Sequence, residues 1–185
     1  MTTETMSDNP LLQAWTDEYG LPPFARVRAE HFAPAFEAAM RTHLEEIGAI
    51  GDATEPPTFD NTVAALDRAG RLFDRIAGLF YNLASSETSP ALQAVEREMA
   101  PLLAAHDSRV YMHRALFARI DALHRRRQEL GLGDEQLRLL ERYHTDFVRA
   151  GARMDGAAQK RYAEVMQRLA DLTTRFGQNV LADES

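Results

Sequence analysis

Six histidines and many carboxylates make metal chemistry the first possibility to consider in this sequence. A zinc hydrolase of the H-E-x-x-H type places two histidines on one helix face, with the glutamate as general base. The nearest match is His43 in HLEEI, which has no second histidine four residues later. We therefore interpret His43 as part of a solvated helix face. We predict no catalytic, cofactor-binding or metal-binding residue in this chain.

Two shorter pairs, each with a carboxylate three residues before a histidine, raise the alternative of a di-iron helical bundle. Such bundles need two Glu-x-x-His pairs and further glutamates that project into the interior. ERYH supplies Glu141 and His144, whereas DALH supplies Asp121 and His124, an aspartate in place of a glutamate. His144 also shares a predicted face with apolar residues, which favours a buried, hydrogen-bonded histidine. The di-iron alternative requires all four side chains to meet in space.

The remaining polar segments are weaker candidates for a binding or catalytic role. HRRRQ at 124–128 is the only concentrated basic cluster, and it could dock an anionic partner or the carboxylate end of a peptide. Cations also stabilise the C-terminal end of a helix, and we favour that structural interpretation. The GLG that follows lacks the spacing and lysine of a P-loop. No G-x-S-x-G is present, and Ser85, Ser86 and Ser89 lie in a capping context.

Composition limits the class of protein. The chain has 185 residues, 45% hydrophobic and 26% charged, which is typical of one globular domain. It has no cysteine, which excludes disulfides and thiolate metal sites. The formal charge of −7 argues against a nucleic-acid partner. The acidic start MTTETMSDNP is unlike a secretion signal, and no apolar run is long enough to span a membrane. These features predict a soluble, cytoplasmic protein.

Apolar residues recur at helical spacing along most of the chain, which predicts an all-α, antiparallel-leaning array of about five to seven helices. We assign 1–27 to an amino-terminal segment with a short helix and a Pro-rich loop, and 28–185 to the helical domain. Predicted helices run over 30–50, from Asn61 to Ser86 with Asp60 as N-cap, from Pro90 with Ser89 as N-cap and a kink or split at Pro101, over 111–130, and from Asp134. Gly151 and Gly156 suggest a bend, and a final helix follows it.

The apolar stripes of these helices are interpreted as core positions and not as ligand sites. The last helix carries such a stripe at Tyr162, Val165, Leu169, Leu172, Phe176 and Val180. The helix over 61–86 is apolar around much of its circumference and needs cover on two sides. If part of that cover lies outside this chain, an exposed apolar patch is expected.

Several segments together resemble the thimet-oligopeptidase-like zinc metallopeptidases, and in particular the branch of bacterial peptidyl-dipeptidase (Dcp) and oligopeptidase A. They are NPLL, LPPFARVRAEHFAPAFEAAM and PTFDNTVAALDRAGRLFDRI. LFARIDALHRRRQELGL, FVRAGARM and LTTRFGQNVL favour the peptidyl-dipeptidase side of that branch. The resemblance covers nearly the whole chain, with its segments in the same order as in the family.

The resemblance implies that this chain is the amino-terminal helical part of a longer peptidase. In that family the zinc ligands and the substrate-binding residues lie downstream, so none of them is carried over to this chain. The implied parent binds zinc and removes dipeptides from short peptides, and the implied partner is its catalytic domain, against which these helices wall a channel. A chain that stops after a strong helix fits this expectation of truncation. A free-standing helical interaction module is the main alternative.

Overall fold

The structure is a computed structural model that describes residues 8–16 and 18–183. Across these residues the regular elements are helices, without a strand, which confirms the all-α class. The α-helices are α1 (Phe32–Gly51), α2 (Ala64–Arg68), α3 (Arg71–Ser86), α4 (Pro90–Tyr111), α5 (Arg114–Arg125), α6 (Asp134–Arg149) and α7 (Gly156–Asp183). None of the helices described is both long and apolar enough to cross a membrane.

Two compact units divide the chain. The first contains the chain up to His43, Gly70–Leu102 and the chain from Leu169 onward. The second contains Leu44–Ala69 and Leu103–Arg168. The boundary predicted at residue 27 remains a prediction.

The first helix begins and ends close to the predicted positions. A 3-10 turn over Ala29–His31 leads into α1, and Pro34 lies in the first turn of that helix. A proline is tolerated at this point because first-turn amides have no acceptor within the helix. Phe32, Ala35 and Phe36 follow at helical spacing and are fully buried.

The prediction of a single helix from Asn61 to Ser86 is wrong. The segment begins as a π-turn over Phe59–Val63, continues as α2, and breaks before α3. At the break Ala69 is extended, with a ψ of 156°, and Gly70 is left-handed, with a φ of 76°. The lack of a Cβ lets Gly70 adopt this conformation and lets the His43 ring come close, because a Cβ built on Gly70 would lie 3.0 Å from that ring.

The N-cap of this segment is Thr58 and not the predicted Asp60. The Thr58 hydroxyl accepts the Asn61 amide at 3.1 Å, and the Asn61 side-chain oxygen accepts the Thr58 amide at 2.8 Å. This reciprocal pair satisfies two amides that have no acceptor within the helix.

The next three helices begin at or near the predicted residues, but their lengths differ more from the prediction. Ser89 caps α4 through its hydroxyl, which accepts the Leu92 amide at 3.3 Å. The helix then continues through Pro101, so the chain is not split there. α5 is shorter than the predicted 111–130, because His113 is its N-cap and turns follow Arg125. α6 begins at Asp134, as predicted.

The core of the first unit is aromatic. The Phe80 ring lies edge-on to the rings of Phe32 and Phe36, with centroids 5.0 and 5.5 Å away. Arg75 attaches the amino-terminal segment to α3, since its guanidinium donates to the carbonyls of Leu11 and Gln13 at 3.0 and 3.1 Å. The same guanidinium lies 4.6 Å from the centre of the Trp15 ring, a cation–π contact.

The core of the second unit is aliphatic around one phenylalanine. Its buried members are Ile47, Val63, Leu66, Val110, Leu116, Ile120, Leu123, Leu140 and Phe147. They come from α1, the π-turn and α2, α4, α5 and α6, so this core joins segments that are far apart in sequence. It holds α5 against α6, the two helices that carry the candidate metal ligands.

The prediction that the apolar stripe of α7 belongs to the core is wrong, because most of its members are exposed. Val165 is exposed, and so are the members in the first unit: Leu169, Leu172, Phe176 and Val180. We call these last four residues the α7 apolar face. Their exposed fractions run from 40% at Val180 to 71% at Phe176. The exposed apolar patch expected from the sequence is therefore present, although it lies on α7.

Candidate functional site

The four candidate di-iron residues lie on two helices that pack together in the second unit, and three of the four are in contact. Asp121 and His124 are on α5, and Glu141 and His144 are on α6. His144 Nε2 lies 3.1 Å from Asp121 Oδ1. The rings of His124 and His144 are stacked, with centroids 3.7 Å apart and planes 4° from parallel. The sequence therefore identified a genuine cluster.

Asp121 is the charged centre of this cluster. Arg125 Nη2 lies 2.6 Å from its Oδ2, and Arg153 Nη2 lies 3.4 Å from its Oδ1. Burial alone would raise the pKa of Asp121. The His144 hydrogen bond and the two arginines outweigh that effect and lower the pKa, so Asp121 is an anion at neutral pH.

His124 and Glu141 occupy the outer part of the cluster. Burial lowers the pKa of His124, and the charges of His144 and Arg127 lower it further, while Glu141 and Asp121 act in the opposite sense. Glu141 is itself paired with Arg127, whose Nε lies 3.2 Å from Glu141 Oε1. A neutral His124 can stack on His144 without the repulsion of two adjacent cations.

This geometry fits a structural ion network better than a metal site. Because Asp121 is ionised, the short contact requires a proton on His144 Nε2, which then has no lone pair for a metal. The in-plane lone pairs of the two stacked rings lie in two nearly parallel planes, so they do not converge on one ion. In the part of the chain that the structure describes, no three His, Cys, Asp or Glu side chains could hold a metal together.

The contacts of the basic cluster at 124–128 agree with its interpretation as a group of cations that stabilises the C-terminal end of a helix. Arg127 Nη1 donates to the carbonyl of His124 at 3.0 Å, at the C-terminal end of α5. Arg125 is paired with Asp121, and Arg126 Nε lies 3.4 Å from Glu129 Oε2. Each arginine of the cluster thus already has a carboxylate partner, Glu141 in the case of Arg127.

His43 and the serines also have local roles. The interpretation of His43 as a solvated residue is wrong, because its ring is half-buried and lies 6.0 Å from the Phe73 ring. The hydroxyls of Ser85 and Ser86 donate to the carbonyl of Asn82 at 3.0 and 2.7 Å, within the last turn of α3. These are bonds inside the helix, so the predicted capping role is confirmed for Ser89 and not for these two serines.

A second group of polar residues was not predicted from the sequence. Arg109, Arg114 and Lys160 line a cleft of about 590 Å³ in the second unit, together with His113, Gln159 and Gln167. We call this the basic cleft. Its cations come from α4, α5 and α7 and are up to 51 residues apart (160 − 109), so no local motif could have indicated them.

The fold and the sequence relatives define the class as a helical segment related to peptidases. The dipeptidyl carboxypeptidase of Salmonella typhimurium is 37% identical over 96% of this chain and 26% of its own length. The Escherichia coli dipeptidyl carboxypeptidase is 35% identical over 94% of the chain and 26% of its length. Oligopeptidase A of Escherichia coli is 27% identical over 94% and 25%. No protein-family model matches the chain.

These comparisons confirm the resemblance that the sequence segments indicate. The chain is similar to dipeptidyl carboxypeptidases and oligopeptidases A along nearly all of its length, and it spans about a quarter of the length of these curated relatives. That coverage is consistent with an amino-terminal region of a thimet-like peptidase.

Proposed function

We propose that this chain is the amino-terminal helical region of a cytoplasmic zinc peptidyl-dipeptidase that releases dipeptides from the carboxyl end of short peptides. The observation that carries the proposal is similarity over 96% of the chain to 26% of a dipeptidyl carboxypeptidase. The described residues do not fit a catalytic zinc ion, since no three His, Cys, Asp or Glu side chains among them could hold a metal ion together. We therefore assign no step of the reaction to this chain.

In this proposal the helices form one wall of the channel that admits short peptides, and they pack against the catalytic part of the parent protein. The α7 apolar face is the surface that we assign to this contact. Four exposed apolar side chains at helical spacing are typical of an interface, and the relatives contain about three times as much additional chain that could cover them.

The proposal predicts that this chain alone does not hydrolyse peptides. The test is a quenched-fluorescence peptide assay with added zinc, run beside an elemental analysis of the purified chain. We expect no turnover and no stoichiometric metal. Zinc-dependent cleavage by the chain alone would contradict the proposal. Stoichiometric iron would instead support the di-iron alternative at Asp121, His124, Glu141 and His144.

The parent activity is tested on the complete gene product. We expect mass spectrometry to show successive loss of C-terminal dipeptides, abolished by a chelator and restored by zinc. Internal cleavage without dipeptide release would instead indicate the oligopeptidase mode. A complete product that does not cleave peptides would favour the alternative of a helical interaction module, for which the α7 apolar face would be the binding surface.

A further inference from the structure

We propose that the basic cleft binds an acidic peptide segment. The inference concerns a binding site in the second unit and involves no catalytic step, so it does not rest on the proposed peptidase function. It is carried by two observations: the unpaired state of the three cations, and the hydrogen bonds of the two glutamine amides that line the same cleft.

The three cations of the cleft are exposed and unpaired. Among the described residues, the side chains of Arg109, Arg114 and Lys160 make neither an ion pair nor a hydrogen bond. Arginines elsewhere in the same unit, such as Arg125 and Arg127, do have carboxylate partners. No Asp or Glu is among the described residues that line the cleft, although the whole chain has a formal charge of −7. The cleft is therefore a local positive region that favours an anion.

Gln159 and Gln167 line the same cleft. Gln159 Nε2 donates to the carbonyl of Gly151 at 3.2 Å, and Gln167 Nε2 donates to the carbonyl of Ala163 at 3.2 Å. These bonds fix which end of each amide is nitrogen, and they leave the Oε1 atoms as acceptors for a ligand N–H. Phosphate and simple polycarboxylates have no N–H group, whereas a peptide has one at each residue. Cations together with carbonyl acceptors thus match an acidic peptide.

His113 also lines the cleft. Its Nδ1 accepts the Leu116 amide at 3.2 Å, so Nε2 is the ring nitrogen that carries a proton. The cleft volume of about 590 Å³ is in the range of about 300–1,000 Å³ that is usual for ligand sites. Such a volume suits a short segment and not a folded domain.

The test is a ¹H–¹⁵N titration of the full chain with the capped peptide Ac-Glu-Ala-Glu-NH₂ at low ionic strength. We expect saturable shifts at Ser108, His113 and Gln159, and weaker binding as salt is added. Arg109→Gln, Arg114→Gln and Lys160→Gln should each weaken binding about fivefold, which corresponds to ~1 kcal/mol for an exposed ion pair.

Matched controls make the test specific. Arg138 is also exposed and unpaired among the described residues, but it lies on α6 outside the cleft, so Arg138→Gln should leave the affinity unchanged. Ac-Gln-Ala-Gln-NH₂ should bind at least tenfold more weakly. The proposal is overturned by equal binding of that neutral peptide, by an equal loss in the Arg138 variant, or by an absence of shifts in the cleft. Equal binding of phosphate or tricarballylate would overturn the peptide assignment in favour of a small polyanion.

Discussion

At the scale of single residues, Arg119 is a buried cation that is satisfied without a carboxylate partner. Its side chain is only 8% exposed. Nη1 donates to the carbonyls of Ala53 and Glu55 at 2.8 and 2.9 Å, and Nη2 donates to Asn61 Oδ1 at 3.0 Å. One guanidinium thus attaches both the loop after α1 and Asn61 of the π-turn to α5.

We predict that Arg119→Leu lowers the free energy of unfolding by about 3 kcal/mol, because it leaves at least two backbone carbonyls without their donor. Arg119→Lys should cost less, since an ammonium keeps the charge but cannot reproduce the planar fork. Urea denaturation followed by circular dichroism measures both changes. Arg138→Leu is the matched control at an exposed arginine, with an expected change within about 0.5 kcal/mol. A similarly small change for Arg119→Leu would contradict the assigned role.

The sequence predicts some of these residue roles and misses others for a physical reason. Asp121 and His144 were recognisable because each belongs to a pair within one helical turn. The role of Arg119 was not, because its backbone acceptors at Ala53 and Glu55 precede it by 66 and 64 residues. Contacts of that kind depend on the tertiary fold, and a local spacing rule does not include them.

At the scale of elements, Gly70 sets the break between α2 and α3. We predict that Gly70→Ala destabilises the chain by about 1–2 kcal/mol, the cost of a left-handed conformation for a residue with a Cβ, with an added cost where the His43 ring must move. Thermal or urea unfolding measures the change.

Gly78 provides the matched control on the same segment. It lies inside α3, and a Cβ built there meets nothing within 4 Å. Gly78→Ala should therefore stabilise the chain by about 0.5–1 kcal/mol. Opposite signs for the two substitutions would support the assigned conformations, whereas equal effects would contradict them.

The break was invisible in the apolar pattern because that pattern continues across it. Leu66, Gly70 and Phe73 follow one another at spacings of four and three, as in one uninterrupted helix. Periodicity reports which side chains share a face and not whether each amide finds its helical acceptor. The helical class was therefore predictable, while the division into α2 and α3 depended on one backbone conformation.

At the scale of the whole molecule, the α7 apolar face is not needed for the stability of this chain. We predict that Leu172→Ser with Phe176→Ser changes the free energy of unfolding by no more than about 0.5 kcal/mol, because both side chains are already exposed. The same double variant should bind less of a hydrophobic fluorescent dye. Phe80→Ala is the buried comparison, at 1% exposure, with an expected loss of about 3–5 kcal/mol. A comparable loss from the double variant would show that the face is covered.

The sequence predicted that α7 has an apolar face, and it could not predict whether this chain buries that face. Spacing fixes the direction of side chains around a helix axis, but burial depends on what lies opposite. In the first unit the contact of α7 with α4 is polar, since Gln178 Nε2 donates to Glu96 Oε2 at 2.7 Å and to the carbonyl of Gln93 at 3.1 Å.

Lys160 has a consequence for covalent chemistry, because it is the only lysine among the 185 residues and the other basic side chains are arginine or histidine. An acylating reagent that reacts with primary amines therefore has one side-chain target, and that target lines the basic cleft. A fluorophore or cross-linker attached there would need no engineered cysteine. The chain thus carries a built-in attachment point at the site where we expect a ligand to bind.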